Sequence, residues 1–223
     1  MNEEKYKEEF KDFLIGKGFY QQIEMWYEGK TTNSLKYFND HFPRFRAMIE
    51  LLEKNKKIEP LFIAEMGSFY PYTSFYFHPS CIDLYDIIGI RYLTFDKGTE
   101  ITLHNYNVCT DELYFMKQCY DLVILSEVLE HLPCNLFEVE KKIMNIIEDD
   151  GYLIVTYPLG GKNAKDYDKI IGSPLKSYGE HLREFTEETV NLFFQSLTKV
   201  DESYVNYPAY GYTKIILYQK VKL

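Results

Sequence analysis

The chain has 223 residues, 46% hydrophobic and 26% charged, which suits one globular domain with an elaboration and excludes a disordered chain. Its net charge of −9 argues against tight binding to nucleic-acid backbones, whose affinity rests on cationic side chains displacing counterions. The charged N-terminus has no signal-peptide apolar region and no apolar run approaches the ~18 residues that span a bilayer, so a cytoplasmic protein without an integral membrane segment is expected.

Residues 1 to about 57 read as helical. Phe10, Phe13 and Leu14 fall at i, i+3 and i+4, a break follows at Gly16 to Gly18, and Phe42 to Lys57 is amphipathic through Phe45, Met48, Ile49, Leu51 and Leu52. His41, Arg44 and Arg46 read as the wet face of the helix. Leu61–Ala64 is the first buried strand, and Glu65 to Thr73 forms the loop that leaves it. A second strand is expected at Asp86–Ile90 and a short third at Ile101–His104. Cys81, Cys109, Cys119 and Cys134 show neither C-x-x-C spacing nor a nearby histidine pattern, so neither a disulfide framework nor a metal site is expected.

The four consecutive apolar residues Leu122 to Leu125 suit a central parallel strand buried on both faces. Ser126, Glu127, Glu130 and His131 follow its carboxyl end, where open α/β sheets place a ligand crevice; an ordinary solvated turn is the alternative. A helix spans about Pro133 to Ile147, Tyr152–Tyr157 is a fifth strand, and the long connection from Pro158 to about His181 has the composition of an acceptor-facing loop. Thr186 caps a helix running to about Ser196. Lys199–Val205 and Thr213–Val221 then form a hairpin, whose short link forces the two strands to be antiparallel.

The segment Asp121 to Pro133, DLVILSEVLEHLP, resembles the fourth-strand motif of class I S-adenosylmethionine-dependent methyltransferases, and weaker matches run in order from about Ile63 to about Phe194. The resemblance implies an α/β fold: a Rossmann-like, mostly parallel seven-stranded sheet with helices on both faces and an antiparallel C-terminal strand. Residues 1–57 would be an N-terminal helical lid, which makes His41, Arg44 and Arg46 candidate acceptor contacts, and 58–223 the methyltransferase domain. It implies S-adenosyl-L-methionine as cofactor and places Glu65, Gly67 and Ser68 in the cofactor loop, with Phe69 and Pro71 where later glycines belong.

The resembled family ends its second strand with a carboxylate that accepts hydrogen bonds from the ribose hydroxyls. Arg91 occupies that place and has no acceptor, leaving Asp96 or Glu100 to supply the acid from a rearranged loop. Asn107 aligns with the group that receives the adenine amino group, with Val108 beside the ring edge; a plain Asx turn is the alternative. Ser126 and Glu127 would shape the cofactor pocket, and His131 is the nominated catalytic base, against a structural histidine at a helix start. His181 and Arg183 are second-tier candidates. The implied activity is methyl transfer to a small molecule, sugar or surface-glycan precursor, with a second copy of the chain as an optional partner. The alternatives are a methyltransferase-like binding protein without catalysis and a binder of a phosphate-bearing nucleotide, which Arg91 would suit.

Overall fold

The computed structural model describes residues 2–16, 24–27, 30–55, 62–68, 70–87, 92–96, 98–111, 119–159, 183, 185–207 and 211–222. Helix α1 (Glu3–Gly16) buries Tyr6, Phe10, Phe13 and Leu14 along one stripe. It ends at Gly16, where the sequence predicts a break, but the two strands that follow depart from the expectation that residues 1 to about 57 are helical. Strands β1 (Glu24–Tyr27) and β2 (Lys30–Asn33) pair as a small antiparallel hairpin, in which the β-branched Thr31 and Thr32 favour extended backbone. Helix α2 (Ser34–Lys54) begins well before Phe42.

The main sheet contains β3 (Phe62–Met66), β4 (Cys81–Asp86), β5 (Tyr92–Asp96), β6 (Thr99–Asn105), β7 (Tyr120–Ser126), β8 (Ile147–Pro158), β9 (Thr198–Tyr207) and β10 (Gly211–Gln219), in the order β5-β6-β4-β3-β7-β8-β10-β9. Strands β6, β4, β3, β7 and β8 are parallel, and β10 runs antiparallel to both β8 and β9. This is the expected Rossmann-like, mostly parallel sheet with a reversed C-terminal strand. Strand β5, antiparallel to β6, adds an edge that the sequence pattern did not predict.

Helices cover both faces. Met48, Leu51 and Leu52 of α2 share one core with Ile63, Leu122, Ile124, Ile154 and Leu217. Helices α3 (Leu136–Ile146) and α4 (Glu187–Phe193) bring Val139, Ile143 and Val190 to the opposite core, with Val123, Leu125, Leu153, Val155 and Ile216. Successive strand residues point to opposite faces, so β7 must be apolar at every position between two such cores. The caps are local: Asn135 accepts from the Phe137 N–H and Thr186 from the Thr189 N–H.

Among the described residues, the crossover from β3 to β4 contains no helix beyond the 3-10 turn Ser74–Phe77. The sheet beside it is covered instead by the N-terminal helices, whose Phe10, Phe38 and Phe45 pack with Tyr70, Tyr72 and Phe75 and with Ile82 and Leu84 of β4.

Two expectations are corrected here. The second strand ends at Asp86 rather than starting there. Its pattern was hidden because Asp83 interrupts the apolar run, yet is buried: the Tyr120 hydroxyl donates to one carboxylate oxygen at 2.7 Å and His104 Nε2 lies 2.7 Å from the other. Cys109 and Cys134, 25 residues apart, form a disulfide. The bond joins two loops whose proximity no spacing rule encodes, so the expectation that the cysteines form no disulfide fails. Among the described residues no helix is long and apolar enough to cross a membrane, and no cluster of metal-ligating side chains occurs.

Candidate functional site

Because β6, β4, β3, β7 and β8 are parallel, their carboxyl ends, Asn105, Asp86, Met66, Ser126 and Pro158, lie along one edge of the sheet. At β3 the chain turns through Gly67, whose φ is +66° and whose N–H donates to the Tyr85 carbonyl at 2.7 Å. A Cβ there would lie 2.4 Å from Val128 Cγ2, so glycine meets both a left-handed conformation and a close approach. Ser68 Oγ donates to the Tyr70 carbonyl at 2.6 Å.

Glu65, expected at the cofactor, faces the loop instead. It is fully buried, and its Oε2 accepts from the Ser74 hydroxyl at 2.6 Å and the Ser74 N–H at 3.3 Å. Burial pushes its pKa up to about 7, against the lowering effect of the Ser74 hydrogen bonds. Tyr70, Pro71 and Tyr72 are buried, and the two tyrosines belong to the aromatic cluster under α1 and α2; Phe69 lies outside the described residues.

Asp86 is the half-buried last residue of β4 and its carbonyl accepts from the Tyr106 N–H at 2.9 Å. The sequence pattern missed it because the strand was expected to start at Asp86, where it ends; the alternation of Ile82 and Leu84 was the available signal. Arg91 lies outside the described residues. The substitution by Asp96 or Glu100 is corrected by register. Asp96 pairs with Thr99 and Glu100 is the next residue of β6, at the amino end of that strand. At ~3.3 Å per residue, Asp96 is roughly 20 Å from the edge that carries Asn105.

At the end of β6, Asn107 Oδ1 accepts from the Cys109 N–H at 2.9 Å, so the Asx turn forms, and the carbonyl oxygen retains a second lone pair. Val108 is buried, and its carbonyl accepts from Lys142 Nζ at 2.9 Å.

Beyond β7, Glu127 has a φ of +55°, a conformation costly for a residue with a side chain. Thr156 holds it there: the Glu127 N–H donates to the Thr156 carbonyl at 3.1 Å and to its Oγ1 at 3.0 Å, and that hydroxyl lies 2.9 Å from Glu127 Oε1. Ser126 Oγ lies 3.3 Å from the same hydroxyl. The other Glu127 oxygen is 3.8 Å from the guanidinium of Arg44, which reaches the site from α2 and also donates to the Tyr37 hydroxyl at 3.2 Å.

The three N-terminal candidates separate. Arg44 and His41 are buried, and burial, reinforced by the charge of Arg44, lowers the His41 pKa to about 3. Arg46 is on the wet face, pairing with Glu50 at 2.8 Å and Glu3 at 3.1 Å.

His131 is half-buried on the 3-10 turn Leu129–His131, its Nε2 3.9 Å from Glu130 Oε1. Glu130 is 0% exposed, and burial, then the charge of Glu127, pushes its pKa well above the carboxylate range while Arg44 opposes this. The Arg183 N–H donates to the Glu130 carbonyl at 3.2 Å and its guanidinium to the Cys134 carbonyl; His181 lies outside the described residues.

Neither a protein-family model nor a curated protein sequence matches the chain. Solved structures do. The N-methyltransferase NodS from Bradyrhizobium japonicum is 10% identical, over 82% of this chain and 98% of its own, with a TM-score of 0.60. The 1,6-didemethyltoxoflavin-N1-methyltransferase of Burkholderia thailandensis, bound to 1,6-didemethyltoxoflavin and S-adenosylhomocysteine, is 12% identical over 83% and 81%, at 0.60. Magnesium protoporphyrin IX methyltransferase from Synechocystis, bound to S-adenosylhomocysteine, is 14% identical over 86% and 89%, at 0.57. The chain has the class I methyltransferase fold.

Within this methyltransferase fold, the strand edge has two chemically different ends. Asp86 and Asn107, residues with acceptor oxygens, lie at and just beyond the carboxyl ends of β4 and β6. Around β7 the chain gathers Glu127, Glu130, His131 and, from α2, Arg44, the ionisable groups suited to binding or deprotonating a polar second ligand.

Proposed function

We propose that the protein is an S-adenosylmethionine-dependent methyltransferase acting on a small molecule, with residues 1–57 as the lid of a domain spanning 58–223. The observation that carries this reading is Asp86. Its carboxylate ends the second parallel strand, on the same edge as Gly67 and Asn107, and can accept from two ribose hydroxyls, which Arg91 could not. The residues present therefore fit an adenosyl group: Asp86 toward ribose, Asn107 toward the adenine amino group, and Gly67 and Ser68 toward the methionine portion.

The cofactor supplies a methyl group already made electrophilic by a sulfonium. The chain is left to align the acceptor, exclude water and, for a hydroxyl acceptor, remove a proton. His131, half-buried at the end of β7, takes the role of base, while Glu127, fixed by Thr156 and faced by Arg44, shapes the acceptor side.

Calorimetric titration with S-adenosylhomocysteine tests the reading. Micromolar affinity is expected, reduced about 10-fold or more in Asp86→Ala by loss of hydrogen bonds to a charged acceptor. Silence with this ligand and with nucleotides points to a non-catalytic binding protein. Preferential binding of a phosphorylated nucleotide points to the remaining alternative. His131→Ala should lower turnover and leave cofactor affinity intact.

A further inference from the structure

Glu130 is fully buried just past the carboxyl end of β7, and neither of its carboxylate oxygens has a hydrogen-bond partner among the described residues. Such an arrangement is costly, and where it persists at the carboxyl edge of a parallel sheet, the usual side for a ligand, a missing partner is the economical explanation. The surrounding charges show which kind. Arg44 is the buried cation contributed by α2, and it lies against Glu127 at 3.8 Å. His41, on the same helix, is kept neutral by burial. The Arg183 guanidinium donates to the Cys134 carbonyl, and His131, 3.9 Å away, offsets Glu130 only while protonated. Among the described residues the Arg44 guanidinium thus pairs with Glu127, and no hydrogen bond reaches either Glu130 oxygen.

We propose that Glu130, with Glu127 beside it, forms an amine subsite in which a protonated nitrogen of the second ligand seats against the Glu130 carboxylate. Naming that ligand the methyl acceptor rests on the methyltransferase reading; the binding itself does not. In the empty site burial and the neighbouring Glu127 favour the protonated form of Glu130. Binding an ammonium to the carboxylic acid then yields an ion pair and releases one proton to solvent.

The test is calorimetry with benzylammonium chloride and its neutral isostere benzyl alcohol, with and without S-adenosylhomocysteine, in two buffers of different ionisation enthalpy. Wild type is expected to bind the ammonium and not the alcohol, releasing close to one proton. Glu130→Gln should weaken this about 10-fold or more and abolish the release, while S-adenosylhomocysteine affinity stays equal in both proteins. Glu130→Asp, which keeps a carboxyl group, should retain the proton release and serves if the glutamine variant does not fold. Equal responses of wild type and Glu130→Gln, silence included, overturn the subsite, as does equal binding of the alcohol. A 10-fold loss of S-adenosylhomocysteine affinity in Glu130→Gln also overturns it, because the missing cation would then be the cofactor's own ammonium. So does Glu130-dependent binding of Mg2+ or Zn2+ that excludes the amine. Glu130-dependent amine binding with no S-adenosylhomocysteine binding sinks the methyltransferase reading alone; the reverse pattern sinks the subsite alone.

Discussion

Replacing Gly67 by alanine probes the turn that brings the end of β3 against the segment after β7. Two costs add. An L-residue at a φ of +66° pays about 1–2 kcal/mol for the left-handed conformation. The new methyl would lie 2.4 Å from Val128 Cγ2, and relieving that overlap inside a packed core costs a further ~1–3 kcal/mol. Val128 is buried and belongs to the core that includes Leu125 and Leu129, so it cannot swing into solvent. A total of about 2–5 kcal/mol is therefore expected from urea unfolding of Gly67→Ala. In a double-mutant cycle with Val128→Ala the steric part should vanish and the backbone part remain, giving a coupling of about 1–3 kcal/mol in the sense of relief. A Gly67→Ala variant within about 0.5 kcal/mol of wild type, or one that Val128→Ala does not rescue, would refute the close packing of these two strand ends.

Glu65 predicts a pH dependence of stability. Its folded pKa of about 7 is raised above the ordinary 4.5, so the folded chain holds more protons than the unfolded chain between these values. The stabilisation is complete below pH 4.5 and is lost as pH rises to about 7, by up to about 3 kcal/mol. Urea midpoints for wild type and Glu65→Gln should therefore diverge across that window, and parallel profiles would show that Glu65 is ionised in the fold. The Cys109–Cys134 bond closes a loop with a sequence separation of 25, for which unfolded-state entropy gives about 3–4 kcal/mol. The double serine variant should be less stable than oxidised wild type by about that amount in non-reducing buffer and equal to it after treatment with a dithiol; peptide mapping without the 109–134 crosslink would remove the premise.

Much of the architecture was legible along the chain. Leu122 to Leu125 announced a central strand because burial between two cores demands apolar residues at every position, and the short link between the last two strands allowed only an antiparallel pair. The Thr186 cap was equally local, since its hydroxyl needs only an N–H three residues on. Strand β4 was misplaced because Asp83 breaks its pattern, and the groups that hydrogen-bond its carboxylate, Tyr120 and His104, come from two other strands. The error displaced the ribose candidate from Asp86 to Arg91.

Tertiary structure alone decided that Arg44 faces Glu127, that Cys109 bonds Cys134 and that the Glu130 carboxyl group is buried without a hydrogen bond from the described residues. Periodicity and spacing report how one element is buried, because the covalent geometry of a helix or strand imposes that pattern on its own residues. Charge balance, ion pairing and crosslinking depend on which elements the sheet order brings together, and no stretch of sequence carries that information by itself.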